Sequence, residues 1–161
     1  MPFVETTTRL CSICGSDVQV PVDLLAGLAA APALITKAIR TAARMPIEGW
    51  SPAEIAAHLA DAEIITAWRF GQTLAEDEPD IQPYDQDRWA LAMRYSDRDL
   101  ATSLSVFAAV RAANVELLRR LDDAGWERTY RHHEYGHTSI RTLAYHKADH
   151  DLAHLAQLQG V

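Results

Sequence analysis

Trp50-Ser51-Pro52-Ala53-Glu54-Ile55-Ala56-Ala57-His58-Leu59 reads as the opening of a long helix. Ser51 offers a side-chain oxygen to the unpaired N–H groups of the first turn, and Pro52 takes the first helical position. Glu54 closes a capping box, and Trp50 is placed to staple against Ile55. The helix should run to about Ala75. Upstream, after an irregular start, Leu24, Leu25, Leu28, Leu34, Ile35, Ala38 and Ile39 recur at helical spacing, with Pro32 expected to bend the helix. Downstream, the acids, Pro79, Pro83 and Tyr84-Asp85-Gln86-Asp87-Arg88-Trp89 suggest a long crossover with one short helix between Glu76 and Tyr95. A third long helix follows Ser96 or Asp97 and stops near Gly125. After a polar, aromatic loop, a last helix starts at Thr138 or Ser139 and ends near Gly160. No β-alternating run or internal repeat stands out. The expectation is an all-α four-helix bundle over residues 22–161, with a long crossover between the second and third helices, preceded by an irregular arm over residues 1–21.

Composition narrows the function. A chain of 161 residues with 48% hydrophobic residues forms one domain with a sizeable core. A net charge of -7 and the lack of a basic patch argue against nucleic acid. There is no leader-like N-terminus and no uninterrupted apolar run of membrane-spanning length, so the default is a soluble cytoplasmic protein with no membrane partner. Cys11 and Cys14 are too few for a disulfide framework; Cys11-Ser12-Ile13-Cys14 reads as half a zinc knuckle, a redox pair or two free thiols.

The histidines are the candidate chemistry. His146, His150 and His154 fall in a stripe about 80° wide on the last helix, offset from the apolar arc of Ile140, Ala144, Ala148, Leu152, Leu155 and Leu158. His154 lies nearest that arc and His146 farthest from it. Such a stripe lines a cleft at the side of a bundle, although spacing alone leaves a solvated histidine face open. On the second helix His58 shares a mixed face with Ala62, Ile65, Thr66 and Arg69. Taken alone, it reads as a partly buried histidine. Asp61, Asp149 and Asp151 are candidate acceptors for imidazole N–H groups.

Trp50 to Glu63, the Tyr84–Trp89 segment, Tyr135-Gly136 and His150-Asp151-Leu152-Ala153-His154-Leu155-Ala156-Gln157-Leu158, in that order, resemble the DinB-like superfamily, and within it the YfiT-like branch of metal-dependent hydrolases and thiol S-transferases. The resemblance spans about residues 22 to 160. It implies a four-helix bundle, a homodimer, and a divalent metal held by three histidines, which fall here on His58, His150 and His154. His146 and the Cys11–Cys14 segment lie outside the matched motifs.

Zinc, nickel, iron or manganese on three neutral imidazoles keeps its charge and an exchangeable position. It would acidify a water or strip the proton from a thiol. Two reactions on a small-molecule substrate follow: attack by a low-molecular-weight thiol cosubstrate on an electrophile, or hydrolysis. Asp151 stands where a zincin motif would place Glu, which argues against a protease. Arg69 could meet an anionic substrate group, although an ordinary surface or salt-bridged arginine is the plainer reading. The alternative to an enzyme is a noncatalytic metal-stabilised dimeric bundle or binding protein. Trp68, Trp89 and Phe107 read as core or interface aromatics, Arg111, Arg119 and Arg120 as a solvated face or partners of nearby acids, and His132, His133 and His137 as mostly solvated loop residues, with a place at the mouth of the site as the alternative.

Overall fold

The computed structural model describes residues 5–10, 16–42 and 49–160. Cys11 and Cys14 lie outside these. Four long helices carry the fold: α1 (Leu24–Thr41), α2 (Pro52–Ala75), α4 (Leu100–Arg119) and α6 (Ile140–Gln159), with short α3 (Gln86–Ala92) and α5 (Asp123–Trp126) in the connections. The start of α2 forms as its sequence dictates. Ser51 Oγ accepts from the Glu54 N–H, Glu54 Oε2 accepts from the Ser51 N–H at 2.8 Å, and Trp50 joins Ile55 in one apolar cluster. Helix α1 continues through Pro32 as one element, capped by Asp23. Helix α4 starts later than expected, on Asp99, because Tyr95–Asp97 first makes a 3-10 turn. It also stops at Arg119; Gly125 belongs to α5, where its N–H caps onto Asp122. Helix α6 runs from its Ser139 cap to Gly160, whose φ of +72° ends it in the left-handed conformation.

Helix α2 packs chiefly on α4, and α1 on α6 and α4, so the helices stand around the core in the order α1, α4, α2, α6. Two apolar clusters fill that core. One holds Leu28, Phe70, Val115, Leu118, Leu143 and Ala144, the other Ile35, Ile55, Leu59, Phe107 and Leu158. Between them lies a polar layer centred on Arg111. This residue is only 2% exposed, so of its two expected readings, a solvated face or a partner of nearby acids, the second holds. Its guanidinium donates to Asp151 at 2.6 and 3.1 Å, to Glu63 at 2.8 Å and to the Leu28 carbonyl at 3.1 Å, and Asn114 donates to Glu63 at 2.7 Å. One side chain thereby ties all four long helices together. Phe107 is core as expected, whereas Trp68 is 66% exposed.

The arm expected to be irregular instead forms an antiparallel hairpin, β1 (Thr6–Leu10) and β2 (Asp17–Pro21). Val18 and Val20 bury against Tyr145 of α6, and Arg9 stacks over the Tyr145 ring at 4.1 Å. Gly27 admits the hairpin's end, because a Cβ there would run into the Pro21 ring. A second small sheet, also unforeseen, joins β3 (Asp80–Ile81) of the crossover to the hairpin β4 (Thr129–His132) and β5 (Gly136–Ser139). It pins the crossover beside the start of α6. By length and composition alone α1 and α4 could each span a membrane, and both pack within the bundle.

Candidate metal centre

Helices α2 and α6 bring His58, His150 and His154 together. Ring nitrogens of all three lie within 4.8 Å of one another. His58 Nε2 stands 2.9 Å from His150 Nε2, which stands 3.3 Å from His154 Nε2. In a tetrahedral zinc site, bonds of about 2.0–2.1 Å separate adjacent nitrogens by about 3.3 Å. The His58–His150 and His150–His154 separations are therefore already near the spacing a cation needs. The donor set also has the right protonation. His58 is 1% exposed, and burial, with the charges of His154 and Lys147, lowers its pKa to about 3. Burial likewise holds His150 well below its ordinary value and lowers His154. At neutral pH all three are uncharged imidazoles with lone pairs to give.

The groups around the three imidazoles differ from the carboxylates expected. His154 donates its Nδ1–H to Gln157 Oε1 at 2.9 Å, which leaves the Nε2 lone pair facing the cluster. His150 Nδ1 meets Lys147 Nζ at 3.3 Å. An uncharged Lys147 amine would accept a hydrogen bond from His150 Nδ1–H, which would leave the Nε2 lone pair facing the cluster. Burial pushes the Lys147 pKa down, against the pull of Glu63 and Asp151. Among the described residues His58 Nδ1 has no hydrogen-bond partner, and the Trp50 ring packs edge-on against the imidazole at 4.8 Å. Of the acids proposed for these roles, Asp61 pairs with Arg98 at 2.7 Å, Asp151 with Arg111, and Asp149 takes the backbone N–H of Gln19.

A cavity of about 330 Å³ opens beside the cluster, reaching it at His150 and Lys147. Arg69, Tyr84, His132, Tyr135 and His146 line its other walls. His132 is buried and stacks on Tyr135 with ring centres 4.5 Å apart, so the β4–β5 tip walls the cavity. His133 and His137 lie exposed, as expected of solvated loop residues, near Gln82 and Glu78. The helix-wheel offset of the histidine stripe is thus realised as a lateral cavity. Lys147 was missed as a neighbour of the cluster, and Gln157, although on the stripe's side of the helix, was missed as the partner of His154, because periodicity gives a residue's face and not its partner; their spacing of three from His150 and from His154 was the available signal.

The comparisons with known proteins agree with this architecture. A "Putative metal-dependent hydrolase" of Oceanobacillus iheyensis is 34% identical over 114 residues, 68% of this chain and 65% of that protein. One of Bacillus mycoides is 29% identical over 117 residues, covering 70% and 66% of the two chains. The chain thus spans just under two thirds of the length of these two relatives. A third, from Bacillus cereus, is 28% identical over 138 residues, 80% of this chain and 79% of the other. The fold is similar to that of YfiT from Bacillus subtilis, described as "a probable metal-dependent hydrolase with an unusual four-helix bundle topology", with a TM-score of 0.80, 24% identity and coverage of 85% and 82%. The family model of the DinB superfamily matches residues 25–158. With that match spanning all four long helices and the three clustered histidines, the chain belongs to the DinB superfamily.

Proposed function

We propose that this protein is a divalent-metal-dependent enzyme acting on a small molecule, with His58, His150 and His154 as the metal's protein ligands. The observation that carries the reading is the convergence of three neutral imidazoles at the edge of a cavity large enough for a small substrate. Zinc or nickel suits the all-nitrogen donor set best, with iron and manganese as alternatives. Bound there, the ion would act as a Lewis acid and lower the pKa of a water or thiol. The chain's own residues hold the imidazoles neutral, orient His154 through Gln157, and wall the cavity with Tyr84, His132 and Tyr135.

Hydrolysis is the reading that the names of the relatives favour. Thiol transfer is favoured by a different observation: the buried carboxylates near the cluster are already committed, Glu63 and Asp151 to Arg111 and Asp61 to Arg98. Hydrolysis wants a general base to take a proton from water, whereas a thiol, with an ordinary pKa of about 8.5, releases its proton to solvent far more readily. A cytoplasmic location and a homodimer belong to the same proposal.

Metal analysis tests the site directly. The wild-type protein should bind one zinc or nickel ion per chain, and His58→Ala and His154→Ala should each lose it while keeping their helical circular dichroism. Unchanged stoichiometry in both variants refutes the ligand assignment. With the loaded protein, small thiols are then offered 1-chloro-2,4-dinitrobenzene, and p-nitrophenyl acetate is offered without thiol. Metal-dependent turnover in either assay supports an enzyme and selects the reaction. If neither assay shows turnover, while zinc removal lowers the melting temperature, the site is a noncatalytic metal clamp.

A further inference from the structure

The cavity beside the cluster carries a charge pattern that the metal does not explain. In a chain with 22 acidic and 15 basic residues, an arginine is expected to find a carboxylate. Arg69 has none. Among the described residues its hydrogen bond goes to the Gln82 carbonyl at 3.3 Å, and its Nε is buried with no partner. Across the cavity His146 Nδ1 is likewise buried and unpartnered. Glu134, the one acid on the lining, is exposed at the rim. A buried guanidinium edge without an acceptor is costly to keep unless something supplies one. Along α2, His58, Ala62, Thr66 and Arg69 lie on one face, and helical side chains lean towards the N-terminus, so Arg69 leans along the cavity towards the cluster. Tyr84 flanks it, with the guanidinium carbon 6.0 Å from the ring centre.

We infer that Arg69 is the anchor for the carboxylate of a small organic acid, whose remaining part lies in the cavity between Tyr84 and the His132–Tyr135 stack and points towards His150. This rests on the metal-site reading for the position of the reacting end, but the anchor itself does not need the ion. A planar fork of Nε and Nη donors matches a carboxylate in two parallel hydrogen bonds, which neither an amide nor a lysine reproduces.

The test is calorimetric titration of the zinc-loaded full chain with 3-phenylpropanoate, 3-phenylpropanamide and inorganic phosphate. The carboxylate should bind at least tenfold more tightly than the amide and more tightly than phosphate. Arg69→Lys should weaken it severalfold, and Arg69→Gln and Arg69→Met should erase the preference over the amide, all with unchanged zinc stoichiometry. Having two neutral replacements keeps the test decisive if one fails to fold. A preference that survives in a zinc-replete neutral variant would mean the carboxylate sits on the ion, which overturns the inference; so would tighter binding of phosphate. The two readings fail separately. Loss of the carboxylate preference with zinc still bound sinks only the anchor, whereas an Arg69-dependent preference in a protein that takes up no zinc sinks only the metal site.

Discussion

His146 separates what the cluster's neighbours do from what its three imidazoles do. It shares their stripe, yet it faces the cavity with an unpartnered Nδ1, and burial, with the charges of Lys147 and Arg69, lowers its pKa to about 4. In the unfolded chain the same imidazole titrates near 6.5. A group held neutral in the folded state binds its proton more readily when unfolded. Its contribution to stability is therefore complete above about pH 6.5 and is lost as pH falls towards about 4. Thermal denaturation of metal-free protein across that window should show falling stability. His146→Leu should flatten the slope by about one proton's share, since the ligand imidazoles keep theirs. A variant with the wild-type slope would show that His146 is solvated and titrates normally. At this scale the sequence was informative in proportion to spacing: His150 and His154 four apart, with His58 joined to them by the ordered motifs. The contacts of Lys147 and Gln157 depend on rotamers and on depth of burial, which no one-dimensional pattern carries.

Among the elements, helix limits followed from capping chemistry where caps were unambiguous. Ser51 and Ser139 begin α2 and α6, and Gly160 ends α6. The start of α4 was less legible because Ser96, Asp97 and Asp99 are all competent caps, and only the intervening 3-10 turn decides among them. The hairpin β1–β2 was missed for a related reason. Val18 and Val20 do alternate with polar residues, but over four positions, too few to stand against a loop. Arg111 was legible only as one of two alternatives, a solvated face or a partner of acids. An arginine on an amphipathic helix reads as solvent-facing, and its burial makes sense only once Glu63 and Asp151 arrive from two other helices. Both carboxylates depend on it; Arg111 and Asn114 hold Glu63 below the usual carboxylate range despite burial. Arg111→Leu should accordingly cost about 3–5 kcal/mol, the penalty for leaving buried charges uncompensated. Urea denaturation measures it. A loss below about 1 kcal/mol would mean that water or side-chain rearrangement satisfies the two acids.

In the whole molecule, the site and the bundle's weakest seam coincide. Direct packing between α2 and α6 is sparse compared with α2 on α4 or α1 on α6, and the histidine cluster lies across that seam. The Arg111 layer closes the bundle at its middle, whereas His58, His150 and His154 join α2 to α6 only through ring edges. A cation held by all three would act as a cross-link between the two helices, and an ion that binds only the folded chain stabilises it by mass action. At a hundredfold excess over its Kd, zinc should add about 2.7 kcal/mol, a rise in melting temperature on the order of 5–10 °C for a chain of this size. Scanning calorimetry of chelator-treated and zinc-loaded protein reads the shift directly. His58→Ala, which cuts the link from α2, and His154→Ala, which weakens it from α6, should each abolish the rise while leaving the metal-free transition near that of the wild type. A zinc-induced rise that persists in both variants would place the ion elsewhere, and the seam would then have to be held by the apolar clusters and the Arg111 layer alone.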